Sequence, residues 1–315
     1  MSATVRVVRA RARAEAPAST GNIASGFDLL GFAVGGWGDR VEIEVVDEPG
    51  VSVAAITGTV TTLPLDAERN TAARAVAAMR TALGLKEGFR LTIHKGIPLG
   101  SGLGGSAASA SAAVTALNGL LDAPLSPAAL YPYALDGEFA SSGARHGDNV
   151  GPQLLGGIAM STSERCLSLP VPAGIYAVVV HPDFVLETRR AREVLAEPYA
   201  LKTVIGQTAA LGQLIAGLYR DEDALIAEGL RDVLVEPRRA PLIPGFIEAK
   251  AAAIEAGALG ASISGAGPTV FAWVRGAART EVVAAGIADA LGRHARTTTR
   301  IVELASVTGA RLLPD

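Results

Sequence analysis

The chain has 315 residues, enough for about two domains sharing one compact body. Apolar residues make up 49% and charged residues 19%, a balance that excludes disorder over most of the length. A net charge of −3 and a pI near 5.9 leave no electrostatic footprint for a nucleic-acid polyanion, although local arginines can still bind small anions.

The single cysteine, Cys166, cannot form an intrachain disulfide and fits a small buried residue in a reducing, cytoplasmic setting. The opening MSATVRVVRARARAEAP lacks the continuous apolar core of a signal peptide, and its alternating arginines suit one face of an amphipathic strand. No uninterrupted apolar run reaches the roughly 18 residues that suggest a membrane span. Along the first half, VEIEVV (Val41 to Val46) and FRLTIH (Phe89 to His94) alternate as half-buried strands do. Between them Asn70 to Leu83 has helical spacing and composition. Ser106 to Leu121 reads as an alanine-rich helix closed by Asp122-Ala123-Pro124, and Pro127 to Ala140 as a second. The second half gives strands at 175–181, 261–264, 270–274 and 298–304, with helices at about 200–219, 222–229, 247–256 and 279–291. Strands interleaved with helices, several of them hairpin-like, indicate an α+β fold rather than one all-parallel sheet.

The loop between FRLTIH and the alanine-rich helix carries the most chemistry. Glycines stand at 100, 102, 104 and 105, followed by Ser106. Glycine lets backbone N–H groups turn inward without a Cβ in the way, and a following helix offers its own unpaired N–H groups to the same anion. Ser106, at the helix start, can cap the helix or bind a metal that bridges phosphates. Gly100, Gly102 and Gly105 also satisfy G-x-G-x-x-G, but no second strand ending in an acid follows, so a dinucleotide fold does not fit. No Gly-Lys-Ser or Gly-Lys-Thr occurs, which excludes a Walker A loop. A tight capped turn or a phosphate loop of another design remains.

Pro98-x-x-x-Gly102-Leu103-Gly104-Gly105-Ser106-Ala107-Ala108 resembles the P-x-x-x-G-L-G-S-S-A-A loop of the GHMP kinases, the family of galactokinase, homoserine kinase, mevalonate kinase and phosphomevalonate kinase. APASTGNIASGFDLLG near the start and GASISGAGPT (Gly260 to Thr269) near the end resemble the first and third motifs of that family. The three stand in the right order and span nearly the whole chain. One departure is Gly105, where most members have the first of two serines. GEFASSGARHGDNVGPQLLGG (Gly137 to Gly157) resembles the signature of the homoserine kinase branch, as do ETRRAR around Arg192 and EPRRAPLIP around Arg239. Leu195-Ala196 departs from that branch's usual Leu-Pro.

The resemblance implies a two-domain α+β fold: an N-terminal split βαβ-type domain over residues 1–157, a C-terminal ferredoxin-like domain over 158–315, and the active site between them. It implies ATP as cofactor, its triphosphate wrapped by Pro98, Leu99, Gly100, Ser101, Gly102, Leu103, Gly104, Gly105, Ser106, Ala107 and Ala108, with Lys95 nearby and Asn70 near the adenine. Ser106 and Glu138 are the implied Mg²⁺ ligands and, with Asp28, the implied catalytic residues. L-homoserine is the implied acceptor, in the step that commits carbon to threonine. Asn22, Asp28, Asn149, Thr188, Arg192, Arg239 and Gly265 are the implied substrate contacts. Arg192 and Arg239 would clamp an α-carboxylate, as planar guanidinium groups do best. Asp28 would accept from the hydroxyl end. His146 and Asp148 are expected to be scaffold, and Arg189, Arg190 and Arg238 to be solvated. No general base is assigned. A homodimer is implied, with no nucleic-acid or membrane partner. Two alternatives stay open: a mevalonate-type kinase, which has no need of the arginine clamp, and a non-catalytic ligand-binding protein on the same fold, for which Gly105 is the clue.

Overall fold

A computed structural model describes residues 5–142 and 146–314, so part of the Gly137 to Gly157 signature, residues 143–145, lies outside the described residues. In chain order the first half runs β1 (Arg11–Gly21), β2 (Leu30–Val46), β3 (Gly50–Gly58), α1 (Thr71–Leu83), β4 (Gly88–Lys95), α2 (Gly105–Asn118), α3 (Pro127–Ser142) and α4 (Val150–Leu155). It continues through β5 (Ile158–Ser161), β6 (Cys166–Leu169), β7 (Ile175–Pro182), α5 (Thr188–Glu193), α6 (Leu201–Arg220), α7 (Asp223–Gly229), α8 (Glu236–Arg239) and α9 (Phe246–Glu255). The chain ends with β8 (Gly260–Ile263), β9 (Val270–Arg275), α10 (Thr280–Gly292), β10 (Thr297–Glu303) and β11 (Arg311–Leu312). The α+β architecture inferred from the sequence is the one found.

Two sheets organise these elements. The first has the order β11-β1-β2-β4-β3, with β5 pairing β2 and β6 pairing β5; only the β3–β4 pair is parallel. The second is antiparallel, in the order β10-β7-β9-β8. The chain changes sheets between Leu169 and Ile175, then returns with β11 to close the edge beside β1. In β1 the alternation is visible as buried Ala12, Ala14 and Ala16 against more exposed Arg11, Arg13 and Glu15. α2 is buried continuously from Ala107 to Leu117, packed against β1, β2, α1 and α3. Alanine and serine dominate that helix because a helix enclosed on all sides leaves little room for larger side chains. A second core lies between the antiparallel sheet and α9 with α10.

The halves meet through an aromatic cluster. Phe32 of β2 packs edge-on against Phe271 and Trp273 of β9, with ring centroids 5.3 and 5.7 Å apart, and all three are fully buried. Among the described residues no helix is long and apolar enough to cross a membrane.

β2 carries one charged residue into the core. Inward positions recur every second residue, so the register that buries Val41 and Ile43 buries Asp39 as well. Its carboxylate pairs with the Lys95 ammonium at the end of β4, and accepts from Ser109 Oγ at 2.6 Å and from the Gly96 and Ile97 N–H groups at 3.0 and 3.3 Å. The side chains of Asp39 and Lys95 are 0% and 5% exposed, so removing one strands the other in a low-dielectric interior. We predict that Asp39→Ala lowers unfolding free energy by about 3–5 kcal/mol in a urea titration. A loss below about 1 kcal/mol would contradict this account of the pair.

Candidate active site

The glycine loop leaves β4 at Lys95 and enters α2 at Gly105. Gly100, Gly102 and Gly104 have φ of +62°, +76° and +67°, the left-handed region where a Cβ is strained. A methyl group at Gly104 would sit 2.7 Å from Asn149 Oδ1, so this backbone also lies too close to its neighbours for any side chain. Gly105 differs: a Cβ there meets Ile97 at an ordinary 3.4 Å. The departure from the family's serine is therefore not a steric requirement.

Every carbonyl from Gly100 to Gly105 is held from behind. Gly100 O accepts from Leu186 N at 3.2 Å, Ser101 O from Thr269 Oγ1 at 2.6 Å, and Gly102 O from Ser264 Oγ at 2.8 Å. Leu103 O accepts from Ser19 N at 3.1 Å, Gly104 O from Gln153 Nε2 at 2.9 Å, and Gly105 O from Lys95 Nζ at 2.6 Å. By contrast, the N–H groups of Gly100, Ser101, Gly102, Gly104, Gly105 and Ser106 meet no acceptor among the described residues. Donors free on one side, with acceptors satisfied on the other, make a cradle for an anion.

The loop borders a cavity of about 610 Å³ whose lining includes all the sequence-inferred site residues except Ala107 and Ala108. Those two are fully buried in α2, behind the loop. Ile56, Val60, Leu63, Ile93 and Ile97 give the cavity an apolar wall suited to a flat base. Three of the expected residues at this end line the cavity and have further local roles or settings. Asn70 is the N-cap of α1: its Oδ1 accepts from Ala72 and Ala73 N–H, and its Nδ2 donates to Pro64 O, so the side chain is already committed. Lys95 is bound to Asp39 and Gly105 O, bracing the start of α2. Ser106 does not cap α2, because Gly104 occupies the cap position; its side chain lines the cavity.

The other end is built by a turn with an unusual run of left-handed residues, Asn22, Ile23 and Ala24, and Asp28 beyond them. Asn22 clasps the turn, accepting from Asp28 N at 3.1 Å and donating to Gly265 O at 2.8 Å. Asp28 takes a two-pronged ion pair from Arg192 at 2.8 and 3.1 Å, while the buried Nε of Arg192 has no acceptor among the described residues. The resemblance had placed Asp28 against a hydroxyl; here a guanidinium holds it. Arg239 is 2% exposed and donates to Ala191 O at 3.0 Å and Gly265 O at 2.8 Å, with no carboxylate in ion-pair range among the described residues. Burial first, then the Arg192 charge, pushes its pKa down to about 10. Both guanidinium groups lie beside the Phe27 ring, 5.6 and 5.2 Å from its centroid.

Asn149 accepts from Ser19 Oγ at 2.9 Å just before α4, and Thr188 is exposed at the mouth where α5 begins. Glu138 is half-buried on α3 and lines the cavity with Ser106. His146 lies 3.4 Å from Asp28, and burial lowers its pKa. Arg189 is exposed as expected. Arg238 is not simply solvated: it stacks 3.6 Å over Tyr199 and donates to the carbonyls of Leu195, Glu197 and Pro198, bracing the segment after α5.

Residues 70–157 match the GHMP kinases N terminal domain, and residues 211–296 match GHMP kinases C terminal. A homoserine kinase of Xylella fastidiosa (strain M12) is 52% identical over 303 residues, covering 96% of this chain and 94% of that one. One from Xanthomonas campestris pv. campestris (strain B100) is 55% identical over 280 residues, 89% of this chain and 86% of its own. The chain belongs to the homoserine kinase family of GHMP kinases. It is an ATP-dependent kinase of that family. The crystal structure of homoserine kinase from Cytophaga hutchinsonii superposes with a TM-score of 0.92 over 98% of this chain and 99% of that one, at 36% identity. A mevalonate kinase from L. major, at 15% identity and a TM-score of 0.70, shares the fold alone.

In this homoserine kinase-family chain, Asp148 is the residue that motif reading underrated. It is 3% exposed, lines the cavity, and its Oδ1 has no hydrogen-bond partner among the described residues. Burial first, then the negative charges of Asp28 and Glu138, raises its pKa to about 7, against a smaller lowering by Arg192. Since the folded state keeps this proton where the unfolded chain has released it, stability falls as pH rises from about 4 to about 7. Asp148→Asn removes that cost. We predict a variant more stable than the parent at pH 8, by at most about 4 kcal/mol in denaturant unfolding, with the gain fading toward pH 4. Equal stability of the two at pH 8 would refute it.

Proposed function

We propose that the protein transfers the γ-phosphoryl group of ATP to the hydroxyl of L-homoserine, giving O-phospho-L-homoserine for threonine biosynthesis. Arg239 carries this reading. A buried cation lining the cavity, without a carboxylate counter-ion, is costly unless an anion completes it, and a small acceptor with a carboxylate does so. Arg192, with its spare Nε–H, supplies a second donor. The Arg192–Asp28 pair beside it presents both signs of charge, which matches an amino acid better than mevalonate or a sugar. Thr188, Asn149 and the Asn22–Gly265 clasp bound the same end of the cavity.

On this reading the free N–H groups of the loop bind the nucleotide phosphates, with the positive end of α2 behind them. Among the described residues no cluster of three or more His, Cys, Asp or Glu could hold a metal, so an ion here would complete its shell with phosphate oxygens and water. Ser106 and Glu138, a hydroxyl and a carboxylate lining one cavity, fit Mg²⁺, which favours oxygen ligands and keeps part of its shell for phosphate. When bound, Mg²⁺ neutralises charge on the transferring phosphoryl group. The protein's own share is positional: arginines fix the carboxylate and aim the hydroxyl at the phosphate, and oriented reactions of this kind gain roughly 7–11 kcal/mol.

A homodimer belongs to the same reading. α6 has no charged residue from Thr203 to Tyr219, yet Leu201, Val204, Ile205 and Tyr219 on it are 74%, 40%, 60% and 65% exposed. Sedimentation should give twice the chain mass of 32.0 kDa, and a monomer at micromolar concentration would overturn it.

A coupled ADP assay with L-homoserine, mevalonate and galactose side by side tests the acceptor. Turnover is expected with homoserine alone. Arg239→Leu should raise the homoserine KM by at least about 30-fold, because truncating one side of a buried charge pair costs about 2–5 kcal/mol. No turnover with homoserine retires the acceptor; ATP binding without turnover on any acceptor favours a ligand-binding protein.

A further inference from the structure

One buried titratable group serves neither the acceptor nor the nucleotide directly. His181, at the end of β7, is 5% exposed. Its Nδ1 lies 3.0 Å from Thr269 Oγ1, and Thr269 Oγ1 lies 2.6 Å from Ser101 O in the phosphate loop. All three residues are buried, at 5%, 0% and 2% exposure, so water cannot substitute for either bond.

The direction of this chain of bonds is fixed by counting protons. Ser101 O is a carbonyl and can only accept, so the single hydroxyl proton of Thr269 goes to it. The hydroxyl then has only lone pairs to offer His181, whose Nδ1 must donate. If the hydroxyl turned the other way, Ser101 O would keep only the longer bond from Thr269 N at 3.3 Å. The peptide between Ser101 and Gly102 is planar and trans, so its C=O and N–H point in opposite directions. Holding the carbonyl from behind aims the Gly102 N–H into the cavity, and that N–H has no acceptor among the described residues. Gly102, at φ +76°, has no side chain to fix the plane itself.

We propose that His181 and Thr269 are positioning residues for the nucleotide: the relay from His181 Nδ1–H through the Thr269 hydroxyl to Ser101 O locks the Gly102 N–H toward the bound phosphates. The lowered pKa of His181, caused by burial, agrees with a neutral ring that carries its one proton on Nδ1. The relay starts from the second sheet and ends in the loop beside the first, so it also ties nucleotide geometry to the docking of the two halves. The inference rests on reading residues 100–106 as the phosphate-binding loop.

The test has two arms. In ¹⁵N-histidine-labelled full-length protein at neutral pH, multiple-bond NMR should show His181 protonated at Nδ1 and not at Nε2. In the coupled assay, Thr269→Val keeps the shape and deletes the hydroxyl, and should raise the ATP KM about fivefold while the homoserine KM stays within about twofold. Thr269→Ser should bring the ATP KM back. An Nε2–H tautomer, an unchanged ATP KM in Thr269→Val, or KM values for both substrates rising together overturns the relay. If the valine variant does not fold, the tautomer measured on the parent decides alone. Parent protein that shows no saturation with ATP overturns the phosphate-loop reading itself, which separates the two failures.

Discussion

The structure depends on one constraint: the carbonyls of residues 100 to 105 are all held by the protein, and their N–H groups, Leu103 apart, meet no acceptor among the described residues. Six acceptors are tied down by donors from Leu186, Thr269, Ser264, Ser19, Gln153 and Lys95. Three of those donors come from the first half of the fold and three from the region after β7. A flexible glycine loop would lose much of its affinity to the entropy of ordering. Here that ordering is done during folding, and the amides are presented before any ligand arrives. The glycines permit the shape, while the surrounding donors select it.

Buried charge is used in two opposite ways around this loop. Asp39 and Lys95 are a closed pair, each saturated by the other and by Ser109, Gly96, Ile97 and Gly105. Nothing is left over for a ligand, and the pair acts as a strut under the first turn of α2. Arg239 is the reverse case. Its guanidinium is oriented by two carbonyls and a neighbouring ring but has no counter-ion among the described residues, so its electrostatic demand is directed outward. Buried charge therefore gives structure in one place and, on the proposed reading, recognition in the other.

Much of this was legible in the sequence, and the exceptions have a physical pattern. The helices α1 and α2 and strands β4 and β7 follow from local periodicity, which reports the face each residue presents. The glycine loop and the arginine motifs were legible because their residue types are restricted by a shape or a charge. Asn70 and Lys95 were placed near the nucleotide, and they do line the cavity, but their side chains are spent on a helix cap and on an ion pair. Sequence position told where they lie and not which partner wins. Asp39 could have been found: continuing the inward register of Val41 and Ile43 back by one step lands on it. His181, Gln153 and Ser19 could not, because their partners lie 49 or more residues away. The pairing of β5 and β6 with β2, and the return of β11 to β1, are non-local in the same way.

The turn from Ser264 to Thr269 explains how two distant sites come to share one geometry. Its ends hold the phosphate loop, through Ser264 on Gly102 O and Thr269 on Ser101 O. Its middle holds the acceptor side, since Gly265 O receives both Asn22 and Arg239, and Gly265 N donates to Gly21 O at 3.1 Å. The proposed nucleotide cradle and the proposed carboxylate clamp are thus referenced to the same few peptide units rather than to each other across open solvent. In-line transfer between two bound molecules is sensitive to displacements of about 1 Å, which can cost about 100-fold in rate. A single short turn bonded to both sites removes most of the ways in which such a displacement could arise. That is a physical reason for the third glycine motif to sit in the second half of the chain while its contacts lie at the centre of the cleft.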